Sequence, residues 1–297
     1  MSIVINTPNG NIGRPLVEKL LKAGRQVTLI SRNPEKVADL VKQGAKLVQG
    51  SIDEKATLDA ALQGAEALFW LSPPLARPDF ITWAQDAGKQ AAALVKAHGV
   101  KRVVVLSSVG AQTGPGTGPV SVLKPVEEAF KAAAPHVTSL RAGFFMENLL
   151  RDVQGIAHAG ALYTATPPDK AFPMVAVADI ASKAAEVLLD ASWTGHRNLG
   201  VHGPKDLTYA EVATILTQSL GRPVKHVQVR VADLHSGMTN AGVPTWMADA
   251  FAEMYQALVD GRMDPAEPRS KDTTTPTTLA QFASTVLKPV VEQARPS

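Results

Sequence analysis

The sequence predicts an α/β protein: a doubly wound parallel Rossmann sheet with a smaller, mostly helical C-terminal domain. Three observations predict it. Apolar β-branched runs alternate with helix-like pieces through the first half of the chain, the pattern of a parallel sheet with crossover helices. The first run, Ser2-Ile3-Val4-Ile5-Asn6, breaks into a glycine-punctuated turn that restarts as a helix. Beyond Asn148 the alternation gives way to helical pieces with only short strand candidates between them.

Taken in order, residues 12–23 read as a helix that Gly24 ends, and residues 27–30 as the second strand. Residues 34–43 follow as a helix closed by Gly44, and residues 46–49 as a strand. A helix over 56–62 closes near Gly64, and 67–71, with Phe69 and Trp70, is a fourth strand. The long helix expected over 83–98 stops at Gly99. The fifth strand, 103–106, is wholly apolar, as strands covered on both faces are. Residues 111–120 carry too much glycine and proline for regular structure, and the gap over 111–123 reads equally as a mobile flap over the cleft or as a floppy surface loop. A helix over 125–134 and a strand over 137–141 complete this half.

In the second half, helices are expected at 149–158, 179–190, 209–220, 231–241 and 245–260. Strand candidates lie near Val175 and at 199–202. Thr208 and Glu211 spell a capping box, and the threonine-rich patch at 273–278 reads as a loop. The expected domains are therefore 1–150, a nucleotide-binding unit, and 151–297, a substrate unit, with some later strands returning to the first sheet.

Composition narrows the function. At 297 residues the chain can bury one large core or two fused ones, and 45% hydrophobic with 19% charged residues is ordinary for a globular protein. The net charge of +3, without a basic stripe, argues against nucleic acid. No apolar run approaches the ~20 residues that span a bilayer, so no membrane association is expected. The absence of cysteine excludes disulfides, thiolate metal sites and thiol nucleophiles. Together with a start that lacks an export signal, it fits a cytoplasmic protein. The seven histidines, His196 and His202 among them, show no ligand spacing, and no metal site is expected.

The chemistry begins at the glycine turn. Gly10 and Gly13 stand where backbone must approach phosphate and where helix must pack closely on strand, while Thr7 replaces the usual first glycine. A bare G-x-x-G also serves as a plain structural turn. The second strand ends about 20 residues later at Arg32, a cation matched to a 2′-phosphate where a carboxylate would accept a 2′-hydroxyl. Lys36, one turn into the next helix, either assists it or is simply solvated. The cofactor expected from this pattern is NADP(H), with NAD(H) as the alternative.

Several motifs together resemble the NmrA-like branch of the short-chain dehydrogenase superfamily. They are the 7–13 turn, Arg32-Asn33-Pro34-Glu35-Lys36, Leu71-Ser72-Pro73-Pro74, VVVLSSVG at 103–110, Lys124 with Glu128, and RAGFFMEN at 141–148. Val177-Ala178-Asp179-Ile180-Ala181, the 203–223 segment and Ala241-Gly242-Val243-Pro244 extend the likeness over nearly the whole chain. The resemblance implies that Thr7, Pro8, Asn9, Gly10, Asn11, Ile12 and Gly13 wrap the pyrophosphate, with Arg32 on the adenosine phosphate. It further implies that Ser51 and Ile52, with Asp53, lie by the adenine. Leu71, Ser72 and Pro73 would run along the ribose, and Gly143, Phe144 and Phe145 over the nicotinamide. Taken alone, each of the two phenylalanines reads equally as core.

By the same resemblance Lys124 holds the ribose hydroxyls and orients the nicotinamide, and it is the candidate catalytic residue. In the wider superfamily a tyrosine four residues earlier donates a proton to the carbonyl oxygen; here that position is Val120. Reduction of an ordinary ketone develops alkoxide charge and needs a positioned donor worth roughly 10²–10⁴-fold. Quinones, azo compounds and cationic triarylmethane dyes spread or neutralise the charge instead. The expected function is therefore an NADPH-dependent oxidoreductase passing hydride to a small conjugated aromatic acceptor, as a monomer or homodimer. Its rival is a non-catalytic NADP(H) sensor that acts through a protein partner.

Overall fold

The computed structural model describes residues 2–294, so Met1 and residues 295–297, at the outer ends of the two expected domains, lie outside the described residues. β1 (Ser2–Asn6) is buried over its last four residues, as its apolar run requires. α1 (Gly13–Lys22) ends at Gly24, whose φ of +74° turns the chain into β2 (Gln26–Ser31). The single helix expected over 34–43 is divided. A 3₁₀ turn, Pro34–Val37, comes first, and the chain re-enters the helix at Val37 to give a short α2 (Ala38–Lys42).

β3 (Lys46–Gln49), α3 (Lys55–Leu62), β4 (Ala65–Trp70) and α4 (Phe80–Ala97) follow where the pattern placed them, within three residues at each end. β5 (Arg102–Ser108), α5 (Leu123–Ala133) and β6 (His136–Ala142) complete the alternation.

The chain continues through β7 (Phe144–Phe145) into a 3₁₀ stretch, Met146–Asp152, and a π turn, Gly155–Ala159. An α-helix over 149–158 is therefore not formed. Gly155 is a poor helix former, and a Cβ there would lie 2.9 Å from the Ala161 carbonyl oxygen, so local packing decides this backbone. Next come β8 (Ala161–Thr164), β9 (Phe172–Val175), α6 (Val177–Leu189), β10 (His196–Val201) and β11 (Asp206–Leu207). α7 (Tyr209–Leu220) starts on the complete Thr208–Glu211 capping box. β12 (Lys225–Gln228), α8 (Val231–Asn240) and α9 (Thr245–Val259) precede two short helices that sequence periodicity did not show, α10 (Leu279–Phe282) and α11 (Lys288–Gln293).

The seven-stranded sheet runs β10-β6-β5-β4-β1-β2-β3, and β1 pairs in parallel with both β2 and β4. The order reverses there, so the carboxyl ends of β1 and β4 form the topological switch point where doubly wound folds open a crevice. Two smaller sheets, β11-β9-β7 and β12-β8, are also formed.

The chain forms two compact units, each assembled from separate stretches. The first comprises the chain up to Ser108 with Ser121–Arg141 and Ile180–Leu199. Its core joins strands β1, β4 and β5 to α4 and α5, with Trp70 against Phe130 at 5.6 Å. α4 and α5 approach closely because position 88 is glycine: a Cβ there would lie 2.7 Å from Val126 Cγ2. The second unit has its own core, built on Met146, Leu162, Met174, Leu216 and Phe282. Among the described residues, no helix is long and apolar enough to cross a membrane.

Candidate functional site

The switch point is held by a side chain that the sequence reading passed over. Asn6, fully buried at the end of β1, donates from Nδ2 to the Leu71 carbonyl at 2.8 Å and accepts from the Leu71 N–H at 2.9 Å. The amide thus adds one rung between β1 and the chain just past β4. It ties the start of the glycine turn to the Leu71-Ser72-Pro73 segment.

The turn itself departs from ordinary backbone. Thr7 is the one non-glycine with positive φ among the described residues, at +53°. A β-branched residue there stores about 1–3 kcal/mol of strain. Its Oγ1 is buried without a hydrogen-bond partner among the described residues. Its carbonyl accepts from Gly10 N–H at 3.2 Å, and a Cβ on Gly13 would lie 2.1 Å from that same oxygen. Gly13 is therefore required by close approach of helix to turn. Pro8 and Ile12 are buried in the turn, while Asn9, Gly10 and Asn11 face outward. The N-terminus of α1 has neither a side-chain cap nor an acidic residue in its first turn; Arg14 N–H is taken by the Gly10 carbonyl at 3.0 Å and Pro15 has none, so Gly13 N–H and the positive dipole end are what an anion would meet.

A cavity of about 310 Å³ opens beside this turn. Thr7, Asn9 and Gly10 form one wall, and Arg32 with Lys36 another. Both cations are exposed and make no ion pair among the described residues. Their neighbour Arg14 is already spent, donating to Asp39 at 2.6 Å and to the Lys36 carbonyl at 2.6 Å. The apolar side is made by Ile52, Leu75 and Trp83, with Ser51 and Pro73 at the rim.

Trp83 is fixed by its indole N–H to Asp53 Oδ2 at 2.8 Å and by the Arg77 guanidinium 5.3 Å from its ring centre. Burial pushes Asp53 up, but hydrogen bonds from Ser51 and Trp83 outweigh it and hold the carboxyl below its usual range. Glu54 accepts from Ser51 N–H and from Thr57 Oγ1, which shapes the 50–54 turn. A Cβ at Gly50 would lie 2.0 Å from Thr57 Oγ1, so only glycine lets the turn lie on α3. Such a cavity can take a phosphate beside Arg32 and Lys36 and a flat ring against Ile52, Leu75 and Trp83; the start of α1 does not itself line it.

Not all predicted residues line it. Leu71 and Ser72 stand behind Pro73, the first held by Asn6 and the second accepting from Trp70 Nε1 at 3.2 Å. Lys124, in the first turn of α5, is half-buried and makes no hydrogen bond or ion pair among the described residues. Glu128 is exposed, whereas its neighbour Glu127 is buried and fully engaged.

Gly143, Phe144 and Phe145 belong to the second unit. There a Cβ on Gly143 would meet the Pro173 carbonyl oxygen at 2.5 Å, and Phe144 packs edge-on against Phe172 at 5.7 Å. Two shared motifs prove to be braces of this unit. Glu147 accepts from Val177 N–H at the start of α6, and Asp179 accepts from Thr277 N–H and Oγ1, each at 2.9 Å. Burial raises Asp152 to about 6, opposed only by Arg151.

The expectation that residues 111–120 hold no regular structure is corrected at their end, where Gly118–Val122 forms a 3₁₀ helix, and the stretch is tied down by several contacts. Gly118 N–H donates to Glu253 at 2.9 Å, the Arg262 guanidinium donates to the Gly116 carbonyl at 2.8 Å, and Thr117 is fully buried. A Cβ on Gly118 would lie 2.0 Å from the Ala250 carbonyl oxygen, so its glycine serves a close approach of α9.

Comparison with known proteins adds to this geometry. The model of the NmrA-like family matches residues 1–283. An NAD(P)H azoreductase from Xenophilus azovorans is 31% identical over 261 residues, covering 85% of this chain and 86% of the relative. An NADPH-dependent quinone oxidoreductase from Escherichia coli, solved with NADPH, superposes with a TM-score of 0.84 at 26% identity, over 96% of this chain and 99% of that one. The Citrobacter triphenylmethane reductase solved with NADP(H) shares the fold, with a TM-score of 0.78 at 24% identity over 99% and 100% of the two chains.

Proposed function

This chain belongs to the NmrA-like family, and from that membership we propose that it is an NADPH-dependent reductase whose acceptor is a small conjugated aromatic molecule of the quinone, azo or triarylmethane-dye type. Its coarse activity is that of an NAD(P)H-dependent oxidoreductase.

The residues of the first unit fit the cofactor. The uncapped, positive N-terminal end of α1, with Gly13 N–H, and the turn before it suit a pyrophosphate, and the orphaned Thr7 hydroxyl marks this turn as a place where a polar partner is missing. Arg32 and Lys36, free of ion pairs, suit a 2′-phosphate, and Ile52, Leu75 and Trp83 suit a flat base. When bound, NADPH supplies the hydride. Lys124 is assigned to the ribose hydroxyls as an orienting group. The assignment of Gly143, Phe144 and Phe145 to the nicotinamide rests on the likeness of their segment to the family.

The observation that carries the acceptor class is Val120. With no hydroxyl at the position of the proton donor, the chain has no built-in acid for an alkoxide, and acceptors that delocalise the incoming charge are the ones served by proximity alone. The test is NADPH oxidation followed by absorbance against quinones, azo dyes, a cationic triarylmethane dye and simple ketones. Turnover on the conjugated acceptors and none on the ketones is expected. NADPH binding without turnover on any acceptor would favour sensing and sink the reductase reading.

A further inference from the structure

The most heavily engaged polar group of the first unit lies in its core, away from the cofactor cavity. Glu127 on α5 is 1% exposed, Arg141 on β6 5% and Ser107 on β5 3%. Ser107 Oγ donates to Glu127 Oε1 at 2.5 Å; Arg141 donates from Nε to Oε1 at 3.1 Å and from Nη2 to Oε2 at 2.8 Å. Lys131, one turn on, stands 3.7 Å from Oε2. A buried fork of this kind stabilises little relative to apolar packing, so its presence asks for another reason.

Geometry supplies one. α5 is fixed in two directions about its own axis. Val126 fits the notch that Gly88 leaves in α4, where even one added carbon would clash at 2.7 Å. Glu127 is forked to two different strands. Lys124 lies about 60° around the helix from Glu127 and about 160° from Val126. A helix pinned at two such azimuths cannot roll, and the direction of its remaining side chains is set.

Resting on the assignment of Lys124 to the ribose, we propose that the Ser107–Glu127–Arg141 network, with the Val126–Gly88 contact, is a positioning device that sets the rotation of α5 and so aims Lys124. Glu127 and Arg141 are positioning residues: they act through Lys124 and touch no cofactor atom. The Lys124 ammonium, without a partner of its own among the described residues, takes its direction from the helix and not from a neighbouring carboxylate.

The experiment uses the full chain and three variants: Lys124→Met, Glu127→Leu/Arg141→Met, and all three substitutions together. Replacing both members of the buried pair by apolar side chains keeps the core filled and leaves no lone charge. NADPH is the probe, read by its affinity, by the fluorescence lifetime of the bound reduced nicotinamide, and by single-turnover hydride transfer to menadione. The expected result is unchanged affinity for the double variant, a shortened lifetime and hydride transfer slowed by about tenfold or more. The triple variant should match Lys124→Met, because effects that run through one residue do not add.

A wild-type lifetime and rate in the double variant, or losses that add to those of Lys124→Met, would overturn the proposal. If Lys124→Met itself changes neither readout, the ribose assignment fails and the proposal falls with it, a distinct outcome. Should the double variant not fold, Ser107→Ala removes one bond of the network and is expected to shift lifetime and rate in the same direction by less; no shift would overturn the proposal.

Discussion

Two glycine-bearing loops of this protein look alike in sequence and differ in what they leave unspent. The turn around Gly10 and Gly13 holds a strained Thr7, an orphaned hydroxyl, an uncapped helix start and, lining the same cavity, two cations without ion pairs among the described residues. The loop around Gly114, Gly116 and Gly118 is tied by its backbone to α9 and the residues after it, although Gln112 Oε1 beside it is also buried without a partner among the described residues. Glycine in both cases answers close approach of backbone, at 2.1 Å for Gly13 and 2.0 Å for Gly118. The difference teaches that glycine content does not report mobility or ligand binding. What separates the two is the strained Thr7 backbone and the unpaired Arg32 and Lys36 beside one of them.

The sharpest break in the comparison is a matched pair, Gly13→Ala and Gly118→Ala. Each drives a methyl into a carbonyl oxygen and should destabilise by at least about 3 kcal/mol in thermal unfolding. Only Gly13→Ala should also abolish NADPH binding in a fluorescence titration. A Gly118→Ala protein that melts like the wild type would restore the flap. Next in size is Asn6→Asp, which leaves the Leu71 carbonyl without its donor and buries a charge. A loss of about 2–3 kcal/mol in urea unfolding is expected, together with weaker NADPH binding. Unchanged stability would remove the clamp from the account.

Arg32→Ala should weaken NADPH by about 2 kcal/mol, some thirtyfold, because a charge-assisted bond to phosphate is lost. NADH affinity and melting temperature should stay put, since Arg32 makes no ion pair among the described residues. Equal losses for both nucleotides would break the 2′-phosphate reading. Thr7→Gly is the smallest effect and runs the other way. Relief of the +53° strain and of the buried hydroxyl should raise stability by about 1 kcal/mol, or about 2–4 °C, in calorimetry. A lower melting temperature would mean that Thr7 makes a contact worth more than its strain.

How much of this was legible follows the range of each interaction. The sheet, its crossovers, the glycine turn and Arg32 are written in local periodicity and spacing; Ser51, Ile52 and Pro73 are reached only through the family resemblance, and Leu75 and Trp83, which complete the apolar lining, carry no local signal at all. Asn6 was not legible either, because a polar residue at a strand end looks like the start of any turn and its partner is 65 residues away. The choice between Glu127 and Glu128 was equally hidden: adjacent residues on a helix differ by about 100°, and only the places of Ser107 and Arg141 decide which one turns inward. The stretch at 149–158 misled for a related reason, since helical composition there yields to packing against Ala161.

The Asn6 clamp also bears on the order in which the protein becomes competent. Its two bonds reach Leu71 only after β4 has docked beside β1, so the glycine turn inherits its final shape from a contact that closes a loop of 65 residues. Closing such a loop is entropically late relative to forming α1 next door. A nascent chain that has emerged only through β3 would therefore carry the entire glycine turn and Arg32, yet lack the proposed nucleotide site. Competence arrives with the fourth strand.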